Sequence, residues 1–459
     1  MIPFRSFLTL IIFVFVIILI LLSFISSSDQ KRKLFFLRID YAIAPLLGVF
    51  LLLLTFTIDL DVISKGILGT DRIKPFSIII LFFSLAYICI SLDLTGLFEY
   101  MALKVAKGAG NSGKKLFIFF FLFSSVLTTF TSNDIVILTI TPIIIYFAKH
   151  TKIDPIPYLI AQFFAANIWS LTLYIGNPTN IIVAEAFGLT FLGYSAWMLL
   201  PTILGGFTCL VLLLLVFKKR IPKSFESIEI KPISALKDRF GAFFSGISLI
   251  TCLFMISIAQ LVNLSLWLIT FFFAMIMACY NLIHDFLLKK RKKLEQFYIL
   301  GKSVKRIPWK IIPFIIGMFI LVEALVSTGW IDLFASILSL ISIYLIPSVL
   351  IMGFLSSLSC NIMNNQPMTI FFTQILLSDS FSITERIKMG SMFALIMGSN
   401  LGANLTLIGA LAGIMWHKIL SDKDVKISYK EFAKFGFLIT PIIILLSCVV
   451  LSIELLFWL

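Results

Sequence analysis

The sequence predicts an all-α polytopic membrane protein built as an inverted-topology repeat of two five-crossing halves, each with a re-entrant hairpin and a broken helix. Three observations predict it. Of the 459 residues, 60% are hydrophobic and 13% charged, against about 45–50% and about 25% in ordinary soluble domains. Apolar runs such as Ile11 to Ile25, Tyr41 to Ile58 and Ala242 to Ile258 reach or approach the roughly 20 residues that span a bilayer. Polar interruptions of these runs recur in both halves at a nearly fixed offset. The same figures exclude a disordered chain, a collagen-like chain and a secreted disulfide scaffold.

The 37 Lys and Arg outnumber the 23 Asp and Glu, for a formal charge of +14. They lie in short segments between apolar runs: Lys31, Arg32, Lys33 and Arg38; Lys104 to Lys115; Lys149 and Lys152; Lys218 to Arg239; Lys289 to Lys310; Lys418 to Lys434. Such spacing is the cytoplasmic-loop excess of a multi-pass plasma-membrane protein and carries no signature of a nucleic-acid surface. The six cysteines (Cys89, Cys209, Cys252, Cys279, Cys360, Cys448) fall in apolar segments without CxxC spacing and read as small core residues. The first apolar segment is followed by Lys31 to Lys33 without a small-residue cleavage site, and is expected to be a retained helix.

With the basic segments inside, the trace runs as follows. Helix one (about 4–26) enters, helix two (41–59) leaves, and helix three (76–92) returns after a charge-balanced loop, Asp59 to Lys74. An amphipathic stretch, Leu94 to Ala106, leads to the apolar run 116–148. This run has basic residues at both ends and Ser132-Asn133-Asp134 at its middle, the pattern of a hairpin that enters and leaves by one face. Its polar tip must then be surrounded by protein or a water-filled cavity. Segment 158–187 is interrupted by Gly176-Asn177-Pro178-Thr179-Asn180, where proline lacks an N–H and glycine relaxes the backbone. Helix six (191–217) closes the N-terminal repeat, 1–217, and a basic linker, 218–240, follows.

The C-terminal repeat, 241–459, echoes this order. Thr95-Gly96 returns as Thr328-Gly329 at an offset of 233, and Ser124-Ser125 as Ser356-Ser357 at 232. Helices near 242–262, 266–286 and 311–327 correspond to the first three. A second hairpin spans about 346–376 with its polar tip at Asn361 to Pro367. A second broken helix spans 389–416, interrupted by Gly398-Ser399-Asn400-Leu401-Gly402-Ala403-Asn404. A last helix covers about 435–458. An odd number of crossings per half sets the halves in opposite orientations, and paired hairpins and broken helices meeting near the midplane are the organisation of secondary transporters.

The four polar clusters carry the chemistry. Unwound backbone frees carbonyls and N–H groups, and Asn, Ser and Thr add donors and acceptors without fixed charge, so together they can coordinate a small solute or ion. Asp134 is a carboxylate at membrane depth, which costs about 2.5–3.5 kcal/mol on insertion scales and marks ion or proton pathways. Glu185 and Glu323 lie near helix ends, where an interface position and a functional one fit equally. No Lys or Arg lies within the clusters, which favours a neutral or cationic substrate over a polyanion that Asp134 would repel. Cys360 beside Asn361 offers a thiol, although packing accounts for it as well. Gly108 to Lys114 matches GxxxxGK, but Lys115 replaces the Ser/Thr of a phosphate loop and no strand precedes it. His150, His284 and His417 sit at helix ends without metal-ligand spacing, so no metal or other cofactor is expected. An intramembrane enzyme or receptor lacks paired aspartates, a nucleophile with its base, and a soluble domain.

The run Thr131-Ser132-Asn133-Asp134, then Leu138 to Pro142, Gly176 to Asn180, Asn364-Asn365-Gln366-Pro367, and Gly398 to Gly402 through Thr406 to Leu411 resembles the bacterial arsenical pump membrane protein family of the ion transporter superfamily. That superfamily also holds sodium-coupled dicarboxylate symporters and sodium/proton antiporters. Gln366 stands where a hydrophobic residue is more usual, Ala403 where such pumps carry Pro, and Gly-Asn-Pro-Thr-Asn differs from the pattern of well-known arsenite pumps. The resemblance implies an elevator-type fold and a proton-coupled arsenite or antimonite efflux permease working by alternating access. It implies a site of Ser132, Asn133, Asn177, Thr179, Asn180, Asn364, Asn365, Ser399, Asn400, Asn404 and Thr406, with Asp134 carrying the coupling proton. The alternatives within the superfamily are a sodium-coupled importer of a dicarboxylate or other anion, and a sodium/proton antiporter. Family members often dimerise through the scaffold, and with no nucleotide-binding domain in the chain, any ATP drive would come from a separate ATPase subunit.

Overall fold

The computed structural model describes residues 4–28, 40–70, 73–226, 231–259, 261–290 and 298–458. Lys31, Arg32, Lys33 and Arg38 lie outside the described residues, as do 227–230 of the linker and 291–297 of the basic segment before Lys310. The described residues are helical with no strand, and ten of their helical segments are long and apolar enough to cross a membrane.

In the first half, α1 (Phe4–Ser28) is followed by α2 (Ala44–Leu54), α3 (Leu60–Leu68), α4 (Pro75–Leu94) and α5 (Leu97–Gly108). Then come α6 (Gly113–Phe130), α7 (Asn133–Thr151), α8 (Ile156–Trp169), α9 (Pro178–Ala186) and α10 (Phe191–Val216). The second half holds α11 (Arg239–Ser257), α12 (Leu266–Lys290), a short α13 (Ile299–Arg306) that the sequence trace does not foresee, α14 (Ile311–Ser327) and α15 (Trp330–Ile341). It closes with α16 (Leu345–Met363), α17 (Asn365–Leu377), α18 (Glu385–Leu401), α19 (Leu411–Asp422) and α20 (Tyr429–Trp458).

Several expectations need correction. The expected helix 41–59 is α2 alone, and at about 1.5 Å per residue its 11 residues are too short to cross the hydrocarbon core. The chain turns at Phe56, whose φ is +50°, while the Thr55 hydroxyl donates to Leu51 O at 2.9 Å. Asp59 then caps α3 by accepting Val62 N–H at 3.1 Å, so helix occupies what reads as an external loop. The first break begins earlier than Gly176: α8 stops at Trp169, and a 3-10 turn at Tyr174–Gly176 precedes α9. The second begins later than Gly398, because α18 stays helical through Leu401. Gly398 is there for close approach, since a Cβ at that position would fall on Ser356 Oγ and Gly353 O of α16. Cys279 is exposed. It lies on α12 in a row with Phe272, Met275, Leu282 and Phe286, an apolar stripe at helical spacing that faces outward.

Elements α8, α9, α17 and α18 form the interior. Every residue of α8 from Ile156 to Ile168 is buried, as fits a helix surrounded by other helices rather than by lipid. By contrast α10, α11 and α12 expose large apolar side chains such as Phe207, Phe243 and Phe272. Helices α6 and α7 are joined only by Thr131-Ser132, and their far ends meet the same segment of the basic linker. Phe225 N–H donates to Asn111 O at 3.0 Å, the Phe225 ring stacks edge-on to Phe147, and Lys152 pairs with Glu226 at 3.9 Å. Ion pairs gather on that face: Arg220 holds Asp154 at 2.7 Å and Glu431 at 3.4 Å, Arg306 holds Asp93 at 2.6 Å, and Lys310 pairs with Asp40.

Helix α14 receives α2 and α3 side by side. A Cβ on Gly66 would lie 2.7 Å from Ile320 Cα, so the two backbones touch. Gly66→Leu is expected to cost about 1–3 kcal/mol through overpacking, read as a lower thermal midpoint of the purified protein. Gly246→Leu, at a position with no atom within 4 Å of its Cβ, should leave that midpoint unchanged.

Candidate functional site

The breaks leave backbone groups that the bilayer interior cannot hydrate, and the neighbouring side chains satisfy them. At the start of α7, Ser132 Oγ accepts Ile135 N–H and Asn133 Oδ1 accepts Asp134 N–H at 2.9 Å. In the first break, Asn180 Nδ2 donates to Ser170 O at 2.8 Å and Leu173 O at 3.3 Å, and Asn177 Oδ1 accepts Thr179 N–H. In the second, Asn361 Nδ2 donates to Gly402 O at 2.8 Å, and Asn364 Nδ2 to Ile408 O at 3.3 Å. Asn365 N–H donates to Gly409 O at 3.0 Å.

Eight of the sequence-predicted site residues come together. Asn400 Oδ1 accepts from Ser170 Oγ and from Asn177 Nδ2, both at 2.8 Å, while its Nδ2 donates to Asn180 Oδ1 at 2.8 Å. Ser399 Oγ meets Thr179 Oγ1 at 3.1 Å. Asn133 Nδ2 donates to Asn167 Oδ1 at 3.0 Å, and Asn167 Nδ2 to Asn404 Oδ1 at 2.9 Å. Ser170 Oγ also donates to Asn167 O at 2.8 Å, which joins the two chains of bonds into one network. Ser132 adjoins it through Asn133. Asn364, Asn365 and Thr406 form a second group around the 402–409 segment, where Thr406 Oγ1 donates to Asn361 Oδ1 at 2.5 Å. Asn167, Ser170 and Asn361 escape the sequence reading as site residues. Their signal is an amide or hydroxyl in an otherwise apolar helix, which by itself means no more than one interhelical bond.

Asp134 lies apart from the asparagine amides. Its side chain is half-buried, and among the described residues its carboxylate has no hydrogen bond or ion pair. It lines a cavity of about 460 Å³ together with Ser132, Leu138 and Thr139. The opposite wall is α4 and the α13 end, through Phe82, Ile90, Asp93 and Arg306, and α19 adds Met415, Ile419, Asp422 and Lys423. The Asp93–Arg306 pair sets the mouth of this cavity on the face that carries the basic linker, because Thr95 O, two residues on, accepts N–H from both Lys237 and Asp238. The cavity therefore extends from that face to Asp134 at the hairpin tip. Glu185 sits at the end of α9 and accepts a bond from the Tyr174 hydroxyl. Glu323 lies half-buried on α14. Among the described residues no cluster of His, Cys, Asp or Glu is suited to hold a metal ion.

A family model described as citrate transporter matches residues 33–384. The chain is 28% identical over 384 residues to the arsenical pump membrane protein of Escherichia coli (strain K12), covering 82% of this chain and 86% of that one. It is 28% identical over 382 residues to the arsenical pump membrane protein of Yersinia enterocolitica, covering 82% and 85%. Among solved structures, Neisseria gonorrhoeae MtrF, described as illuminating a class of antimetabolite efflux pumps, matches with a TM-score of 0.50 at 12% identity over 99% of this chain and 95% of that one. At that identity the likeness concerns the fold alone.

Among the described residues Asn167 is the one side chain that bonds both the first hairpin tip and the second break. Asn167→Ala should orphan Asn133 Nδ2 and Asn404 Oδ1, at about 1–3 kcal/mol for each buried group left unpaired. The expected outcome is a lower thermal midpoint together with loss of transport in reconstituted vesicles, and normal values of both would remove Asn167 from the site.

Proposed function

The chain belongs to the citrate transporter family, and from that membership we propose that it exports arsenite or antimonite across the plasma membrane in exchange for protons. That it is a multi-pass membrane transporter of the citrate transporter and arsenical pump kind follows from the family match, the relatives and the ten apolar helices. The observation that carries the finer reading is the cavity that leads from the basic face to an unpaired Asp134 beside the asparagine network.

Charge supports a substrate that is not a polyanion. The cavity wall carries Asp93, Asp134 and Asp422 against Arg306 and Lys423, one more carboxylate than cation, and Arg306 is already held by Asp93. A citrate-like anion at Asp134 would meet like charge in a low-dielectric setting. Arsenous acid is a weak acid, uncharged near neutrality, and its three hydroxyls can donate to Asp134 and to the asparagine and serine oxygens without any cation.

The same carboxylate supplies the coupling. Hydroxyl donors favour ionised Asp134, and a proton on Asp134 weakens it as an acceptor, so solute and proton oppose one another, and this opposition is reciprocal. Binding a proton on one side and a solute on the other then yields exchange. Under the positive-inside rule the cavity faces the cytoplasm. In the proposed mechanism the hairpins and broken helices (α6 to α9 and α16 to α19) move against the remaining helices, and the two halves are inverted repeats, as the motif offset predicts.

A second reading, sodium-coupled uptake of a carboxylate, draws on the family model's description and on Arg306 and Lys423 at the cavity mouth. Everted membrane vesicles separate the two. Arsenite uptake driven by an imposed proton gradient and abolished by a protonophore is expected, with Asp134→Asn lowering it by at least about tenfold, the loss of roughly 1.4 kcal/mol. An Asp134→Asn variant with wild-type uptake and unchanged pH dependence would end the proton-coupling role. Sodium-stimulated citrate uptake without arsenite movement would select the second reading.

A further inference from the structure

The cavity accounts for only one side of the route. On the other side of the network, α17 runs from the second hairpin tip to the opposite face, where Ser378 Oγ donates to Asp332 at 2.7 Å. Three polar side chains lie along one face of α17: Gln366, Thr369 and Thr373, at 3%, 0% and 0% relative exposure. Among the described residues Gln366 Oε1, Thr369 Oγ1 and Thr373 Oγ1 have no hydrogen-bond partner.

At about 100° per residue these positions fall within roughly 60° of one another, on the side opposite Phe371. Phe371 packs on Phe13 of α1 and Phe334 of α15, so the polar row is turned away from those helices. Helix α17 also packs against α9 and α18, which carry Thr179, Asn180, Ser399 and Asn400. From Gln366 to Thr373 the row is about 10 Å long at about 1.5 Å per residue, and it starts at the hairpin tip.

A threonine hydroxyl in a buried helix ordinarily bonds the carbonyl four residues back, as Thr131, Thr151 and Thr202 do here. Two threonines in succession on one face that do not, beside a glutamine in the same state, form a longer run of unsatisfied groups than the Ser124 and Thr128 pair of α6 or the single Ser248 of α11 and Thr440 of α20. Gln366 is also the position where the sequence departs toward polarity from the family it resembles.

We propose that this face of α17 is the second half of the permeation route, a hydrophilic wall along which water and an uncharged hydroxylated solute pass between the asparagine network and the face opposite the cavity. The unpartnered oxygens are the acceptors that such a solute's hydroxyls, or water, engage when the α16–α17 hairpin opens off α9 and α18, a gating step within the unit that is separate from the movement of the unit as a whole. The inference rests on the transporter reading but not on the identity of the substrate.

Thiol accessibility tests it on the full-length chain. Thr369→Cys and Thr373→Cys are introduced singly and exposed to a membrane-impermeant cationic methanethiosulfonate, from outside in intact cells and from inside in everted vesicles, with the wild-type chain as background. Both cysteines are expected to react from the face opposite the one that labels Leu138→Cys in the cavity. Reaction no greater than wild type from either face, or reaction only from the cavity's face, overturns the proposal. A second arm uses the isosteric pair Thr369→Val with Thr373→Val. If the hydroxyls are only unrelieved strain, the thermal midpoint rises and transport is unchanged, which also overturns it. The expected result is an equal or higher midpoint with transport lowered by about tenfold. The labelling arm needs no substrate, so its outcome is independent of whether arsenite is the solute.

Discussion

Inside a bilayer every backbone N–H and C=O must find a partner within the protein, and the rest of this structure depends on how that constraint is met at the interrupted helices. Each interruption frees several such groups. Asparagine answers them because its amide is donor and acceptor at once without charge. Asn180 takes up Ser170 O and Leu173 O, Asn361 takes up Gly402 O, and Asn364 takes up Ile408 O. Asn180, its Nδ2 spent on backbone, accepts from Asn400 of the other half through Oδ1, and a second bond between the halves joins Asn167 to Asn404 side chain to side chain. The polar centre is thus a consequence of breaking helices where there is no water.

Much of this was legible in the sequence because the signals are one-dimensional. Apolar runs give spans, basic segments mark one face, and Ser132-Asn133-Asp134 in the middle of an apolar run locates the tip where α6 gives way to α7. What was not legible is tertiary. Nothing in Thr55-Phe56-Thr57 announces a turn, since no proline or glycine is present; the break arises because α2 and α3 both fit against α14, with Gly48 beside Leu321 and Gly66 beside Ile320. Gly398 reads as a helix breaker and instead admits α16. Asn167 and Ser170 carry bonds to residues more than 200 positions away, a pairing no local pattern encodes. Cys279 looks like its five buried counterparts until the helix face is known.

The two halves share local devices without sharing chemistry. Helices α5 and α15 each begin on a left-handed glycine, Gly96 at φ +85° and Gly329 at φ +80°, and each hairpin tip opens a helix capped by its own polar side chain. Yet only the first tip carries an acid, and the second carries the amide of Gln366 one residue past Asn365. The first tip thus pairs an acid with its asparagine, and the second offers neutral amides alone.

The placement of the cavity argues for movement at a particular seam. One wall is α4 with the end of α13, tied together by Asp93 and Arg306 and by Ser91 and Ser303 at 3.3 Å, and α4 is braced on α12 by the bonds of Asn281 to Tyr87 and Ser91 at 2.9 Å. The other wall is α7 and α19, which begin at the hairpin tip and at the second break. Asp134 therefore sits on the side of the seam joined to the asparagine network, while the mouth's ion pair sits on the side braced by α12 and the linker. In the mechanism proposed above, displacement of α6 to α9 and α16 to α19 along that seam carries Asp134 and the network together and leaves Asp93–Arg306 in place, so access to the acid changes while the mutual hydrogen bonds that hold the halves together stay intact.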